Sequence, residues 1–308
     1  MIRHIRAPRY SLMKKTVIPE PSATQPPPIV WTIAGTDPGS GAGVPADLKT
    51  YAGLGVYGCS VITAIVAQNT HGVRSVHCLE PEIVREQLKA LAEDLPPVAI
   101  KIGMLGTAAI VSAVAQELQQ WQVPIICDPV IKSSSGAWLL DPAAIEVFLG
   151  ELAPLCALIT PNWPEVEQIC EMQINQTTDV EIAAARWHER VGGAVLIKGG
   201  HGTGDWLSDY VALQEANVEG GALRRQFQRF WLKSKRVDTR HTHGTGCTLS
   251  AAIAAVLARG LSLADALIVA RAYVNQGLRT PPGVGGGNGP LGHGTWPTLS
   301  EDYPHRDS

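Results

Sequence analysis

Residues 98–127 read VAIKIGMLGTAAIVSAVAQELQQWQVPIIC, and this stretch decides the fold. Residues 98–102 form a short apolar run of strand type, 108–120 carry helical spacing, and 123–127 form a second apolar run. About thirty residues for strand, helix and strand is the length of one crossover returning a second strand parallel to the first. The alternation continues outward in both directions. Upstream lie a strand at 29–34, a helix at 46–54, a β-rich run at 59–67 and a helix at 81–91 with Ile83, Val84, Leu88 and Leu91 on one side. Downstream come a helix at 142–150, a strand at 157–160, helices at 165–170 and 179–190, and a strand at 194–198. Helices at 249–259, closed by Gly260, and at 263–278 complete the pattern. Strands and helices in this order imply an α/β fold with a central, mostly parallel sheet covered by helices on both faces.

One domain over 29–280 is expected, because no long linker interrupts it. Residues 203–240 break the alternation with aromatic and basic residues and suggest a hairpin or insertion. Residues 281–308 form a Gly/Pro-rich tail, expected as an irregular surface loop up to 297. Residues 1–28 carry five basic residues before the first acid, then four prolines, and are expected as a disordered extension. They lack the continuous apolar core of a signal peptide.

The bulk composition excludes some classes. Of 308 residues, 45% are hydrophobic and 17% charged, with a formal net charge of −3. That balance gives no electrostatic reason to bind nucleic acid or an anionic membrane. The six cysteines are scattered without CxxC or zinc-type spacing, which favours the reducing cytosol.

The most informative chemical stretch is His243-Gly-Thr-Gly-Cys-Thr-Leu-Ser250, opening a helix. Gly244 and Gly246 let the backbone turn its amides inward, and the helix adds unpaired N–H groups and a positive dipole end, a site suited to a phosphoryl group. Cys247 sits in the first turn, where the dipole is expected to lower its pKa. Read alone, the stretch is also a glycine turn capping a core helix. Leu158-Ile-Thr-Pro-Asn-Trp-Pro-Glu165 places Asn162 and Glu165 beyond a strand end, suited to water-mediated contact with an ion held by phosphates. Helix capping by Asn162 beside a solvated Glu165 is the plainer alternative. Val195-Leu-Ile-Lys-Gly-Gly-His201 and Ile125-Ile-Cys-Asp-Pro-Val130 deliver Lys198 and Asp128 to the same edge. Gly41-Ala-Gly-Val-Pro-Ala46 matches a dinucleotide fingerprint only formally: no acid follows in 61–67, and Pro45 breaks the expected helix opening. A P-loop and a GxSxG elbow are both absent.

Together these stretches resemble the hydroxymethylpyrimidine/phosphomethylpyrimidine kinases of thiamine biosynthesis. The likeness is carried by Thr32-Ile-Ala-Gly-Thr-Asp-Pro38, Gly41-Ala-Gly43 with Ala46-Asp-Leu-Lys49, Tyr57-Gly-Cys-Ser-Val-Ile-Thr-Ala64 and Ala67-Gln-Asn-Thr70. Lys101-Ile-Gly-Met104, Thr160-Pro-Asn162, Lys198-Gly-Gly-His201 and Thr242 to Ser250 extend it in order from about residue 29 to 280. The resemblance implies a ribokinase-like fold, commonly dimeric, acting on a small pyrimidine alcohol with ATP and Mg²⁺. It implies that Gln68 reads the pyrimidine edge, with Ala42, Asp47, Val66, Met104 and Val130 forming the rest of that pocket. It makes Cys247 the base, Gly244 to Cys247 the anion hole with Thr245 among the ATP contacts, Lys198 a phosphate contact, and Asn162, Glu165 and Asp128 the magnesium-associated set. Pro45 and Ser40 depart from the residues relatives usually carry there, glutamine and often glycine. Pyridoxal kinase is the alternative within enzymes, and a catalytically silent pyrimidine-binding protein the alternative outside them.

Overall fold

The computed structural model describes residues 26–133, 136–200, 204–219, 222–294 and 305–307. The expected N-terminal extension lies outside these except for Pro26–Pro28, as do His201 and the tail residues 295–304. The chain runs β1 (Ile29–Ala34), α1 (Gly43–Gly53), β2 (Tyr57–Ile62), β3 (Ala64–Asn69), β4 (Gly72–Cys78), α2 (Pro81–Asp94), β5 (Ala99–Ile102), α3 (Ala108–Leu118) and β6 (Ile125–Cys127). It continues through α4 (Ala144–Val147), β7 (Leu158–Ile159), α5 (Trp163–Cys170), α6 (Thr177–Arg190), β8 (Val195–Ile197), β9 (Trp206–Glu219), β10 (Ala222–Lys235), α7 (Thr245–Ala258), α8 (Leu263–Arg279) and β11 (His305–Asp307).

Nine strands form one sheet in the order β11-β10-β9-β8-β7-β6-β5-β1-β2. The block from β2 to β8 is parallel, and β9, β10 and β11 add antiparallel strands at one edge. Alternate strand residues bury on opposite faces. Trp31, Ile33, Ile100, Ile102 and Ile125 pack with the buried sides of α2 to α6. Val30, Ala99, Ile126, Leu158 and Leu196 pack with α1, α7 and α8. The alanine run of α7, residues 251–255 apart from Ile253, is wholly buried and lets that helix sit between α1 and α8.

Four readings of the sequence need correction. The run at 59–67 is two strands in different sheets: Thr63 separates them, its amide donating to Ala34 O (3.0 Å) and its hydroxyl to Met104 O (2.6 Å). β3 then pairs with β4, which the sequence reading missed because Arg74, Ser75 and His77 dilute its apolar pattern. Periodicity alone cannot register a change of sheet. Helix α1 opens at Gly43 with Pro45 in its first turn, where a missing N–H costs nothing. The helix at 142–150 is α only over Ala144–Val147, then widens over Phe148–Leu152 and tightens over Ala153–Leu155, where Pro154 has no N–H to continue the ladder. Of the tail, residues 281–294 are largely irregular but not a surface loop throughout, since Leu291 is buried and Gly292 N donates to Gly277 O at 2.8 Å, and His305–Asp307 form β11. The expected hairpin at 203–240 is present as β9–β10.

Candidate active site

The chain places β2 on one side of β1 and β5 on the other, so the order of strand addition, not strand direction, reverses between β1 and β5. A ligand crevice is expected beyond the carboxyl ends of strands at such a point. There the strand ends of β1, β5, β6, β7 and β8 surround a cleft of about 510 Å³, closed from the other side by the 242–247 loop and the start of α7.

Beyond β6, β7 and β8 lies a charged cluster. Lys198 Nζ is 2.6 Å from Asp128 Oδ1, and the backbone bridge between Asn162 and Lys198 brings the two strand ends side by side. Asn162 caps α5: its Oδ1 accepts from Glu165 N (3.0 Å), while Glu165 Oε2 accepts from Asn162 N (2.8 Å). The capping alternative is thus correct for Asn162, but Glu165 is buried rather than solvated, and its Oε1 accepts from Ile131 N (3.2 Å). Burial pushes Glu165 up to about 7; Lys198 opposes this and Asp128 adds to it. Lys198 pairs directly with Asp128, while the Glu165 oxygens are held by backbone amides.

The linking residue Val130 has φ 41°, a costly backbone for a β-branched residue, and it lines the cleft.

The glycine stretch opens α7, as the sequence predicts. Gly244 caps α7 at φ 82°, and a Cβ there would run into the carbonyl of Gly41. A Cβ on Gly246 would lie 2.9 Å from Asp128 Oδ2 and 3.3 Å from Lys198 Nζ, so a larger residue there would push on the charged pair. Thr245 lines the cleft while its hydroxyl donates to Thr242 O at 2.7 Å. Cys247 faces the same cleft. Its expected low pKa is overturned: burial pushes the thiol up, and the pull of Lys101 in the opposite direction does not offset it.

Gln68 of β3, Val66, Ala42, Met104 and Val130 all line the cleft. Asp47 does not. It is wholly buried behind the wall, with Oδ2 accepting from Thr32 Oγ1 (2.6 Å) and Lys101 Nζ (2.7 Å). The sequence reading gave no role to Lys101, itself fully buried, or to Asp37. Asp37 Oδ1 accepts from Gly39 N (2.8 Å), and Oδ2 accepts from Gly41 N and Ala42 N (2.9 Å each). An aspartate followed by Pro38 and Gly39 is a turn signal that could have found it. At the far end of the cleft, Arg271 of α8 pairs with the buried Asp209 of β9, whose other oxygen accepts from Gly199 N (2.8 Å).

The family model for phosphomethylpyrimidine kinase matches residues 37–292. A hydroxymethylpyrimidine/phosphomethylpyrimidine kinase from Synechococcus elongatus is 43% identical over 268 residues, 86% of this chain and 97% of the relative. Among solved structures, phosphomethylpyrimidine kinase from Clostridium difficile is 36% identical with a TM-score of 0.66, covering 80% of this chain and 98% of that one. Pyridoxal kinase from Staphylococcus aureus in complex with ADP is 29% identical with a TM-score of 0.77, covering 92% and 98%. Backbone likeness thus favours the pyridoxal kinase, over a larger share of the chain, while sequence identity favours the pyrimidine kinases. The family pattern runs from residue 37 to 292 and takes in the cleft-lining residues from Ala42 onward: the chain belongs to the phosphomethylpyrimidine kinase family.

Proposed function

We propose that this protein transfers the γ-phosphoryl group of ATP to the hydroxymethyl group of 4-amino-5-hydroxymethyl-2-methylpyrimidine, and then phosphorylates the monophosphate, in the making of thiamine diphosphate. The observation that carries this is the meeting of a backbone-amide cradle, Cys247 and Lys198 in one cleft, at 43% identity to a kinase of that name. The alcohol oxygen attacks phosphorus in line, its proton passes to the Cys247 thiolate, and ADP leaves. The amides of Gly244 to Cys247 and the Lys198 ammonium meet the charge on the transferring oxygens. Because the thiol's pKa is raised, only a fraction is ionised at neutral pH, and that fraction is a correspondingly strong base.

Mg²⁺ belongs to the same reading. Among the described residues no group of three or more His, Cys, Asp or Glu side chains could hold a metal ion. An ion arriving with the nucleotide phosphates fits the excess negative charge of Asp128 and Glu165, with contact through water because both Glu165 oxygens already accept from backbone amides. The ion supplies charge neutralisation at the phosphates. Glu165→Gln is expected to raise the Mg²⁺ requirement more than the KM for the pyrimidine.

The same substitution has a pH signature. Glu165 has a folded pKa above its ordinary value of about 4.3, so the folded state holds the proton more tightly than the unfolded chain. Its contribution to stability is full at low pH and is lost as pH rises through about 7. The wild-type melting temperature should fall relative to that of Glu165→Gln between roughly pH 4 and pH 8. Parallel curves for the two proteins over that window would remove the buried carboxyl from the account.

A steady-state ADP-release assay with hydroxymethylpyrimidine, its monophosphate and pyridoxal tests the substrate. Pyridoxal is the second reading, supported by the likeness to the pyridoxal kinase structures. Gln68 should decide between them, since its amide offers a donor and an acceptor to an aminopyrimidine edge. Leaving such ligand groups buried and unpaired costs about 1–3 kcal/mol each, so Gln68→Leu should lose roughly 10- to 100-fold in kcat/KM for the pyrimidine. A uniform loss on pyrimidine and pyridoxal, tracking a lower melting temperature, would reduce Gln68 to a loop anchor. The reading includes a cytoplasmic homodimer, for which light scattering of the purified protein is the measure. Among the described residues no helix is long and apolar enough to cross a membrane.

A further inference from the structure

Two loops some 200 residues apart in sequence are joined by one side-chain contact. Asp37 lies almost wholly buried beneath the acceptor loop, and its carboxylate holds the amides of Gly39, Gly41 and Ala42. The same Oδ2 lies 2.9 Å from His243 Nε2, the residue before the phosphate cradle. Burial alone would raise the Asp37 pKa, but the His243 bond and the three amides outweigh it and hold the acid ionised. The imidazole Nε2 therefore carries the hydrogen of this bond. Backbone packing reinforces the joint, because Gly244 sits directly against the carbonyl of Gly41 and near Ala42 Cα. Ala42 lines the acceptor pocket, and Gly244 and Gly246 line the phosphate side.

We propose that the Asp37–His243 contact is a positioning joint through which filling the acceptor pocket sets the phosphate cradle, so that pyrimidine alcohol and nucleotide bind with positive coupling. The inference rests on the pyrimidine reading of the pocket. An acceptor held against Ala42 fixes the loop that Asp37 organises. Asp37 in turn fixes His243, and His243 fixes the start of the cradle. Neither residue need touch the reacting atoms. A purely structural staple would instead lower both affinities and the melting temperature together, leaving the coupling between ligands intact.

The test is the Kd of the nucleotide analogue AMP-PCP with Mg²⁺, measured by calorimetry with and without saturating hydroxymethylpyrimidine, in the wild type, His243→Leu and His243→Gln. The wild type should bind the analogue about 5-fold or more tightly when the pyrimidine is present, the lower end of ordinary site-to-site coupling. In His243→Leu that ratio should fall to within about 2-fold of unity, while each ligand alone keeps its Kd within about 3-fold. His243→Gln, whose amide can still donate to Asp37, should restore most of the ratio. If His243→Leu does not fold, His243→Asn, too short to reach the carboxylate, takes its place with the same expectation. A wild-type ratio of one, or a variant that keeps the wild-type ratio, overturns the joint. Failure of the wild type to bind the pyrimidine at all overturns the substrate reading, and the joint with it.

Discussion

Cys247→Ala is expected to lower kcat by roughly 10²–10⁴-fold, the range of a lost general base. Nucleotide affinity should stay nearly unchanged, because the amides of residues 244–247 remain when the side chain is trimmed. The fold should tolerate the change, since α7 is already a helix of small residues at this level. The pH profile makes the assignment specific. Burial places the thiol pKa above its ordinary value of about 8.5, and the group acts only when deprotonated, so kcat/KM should keep rising with pH past 8. Cys247→Asp, which puts a carboxylate at the same position, should flatten that rise by being ionised throughout. An alanine variant with near wild-type kcat, or a rise that persists in the aspartate variant, would take the proton away from Cys247.

Lys198→Met should lower kcat by about 10²–10³-fold, the loss typical of removing one preorganised donor at a developing charge. It should also lower the melting temperature, because Asp128 is almost fully buried and the 2.6 Å ion pair with Lys198 would be gone. The two effects separate in Lys198→Met/Asp128→Asn. Neutralising the stranded carboxylate should recover much of the melting temperature and little of kcat. If kcat recovers together with stability, Lys198 serves the fold and not the phosphoryl group.

The parallel sheet was legible because buried strands and one-sided helices leave different periodicities, and residues 98–127 carry both in succession. Residues just past strand ends were legible too: Asp128, Asn162 and Lys198 meet at one edge because successive parallel strands end there, and Glu165 joins them from the first turn of α5. The sequence could not supply the environment. Cys247 was expected to be acidic from the helix dipole, yet its burial dominates, and burial depends on helices distant in sequence. Asp47 illustrates the same limit, since nothing local tells a pocket residue from one turned behind it toward Lys101 and Thr32. Pairings such as Asp37 with His243 lie beyond any local pattern.

The carboxyl-terminal stretch has a temporal meaning. His243 N donates to the carbonyl of Gly289 at 3.1 Å, and Thr248 Oγ1 lies 3.0 Å from His293 Nε2, an imidazole whose pKa burial lowers to about 4. Synthesis runs from the amino end, so Cys247, Lys198 and both glycines of the cradle are made well before the carbonyl and imidazole that steady them. A chain ending at residue 285 would carry every proposed catalytic group and the Asp37–His243 contact but lack these two. Both contacts thus become possible only once synthesis has passed Gly289 and His293.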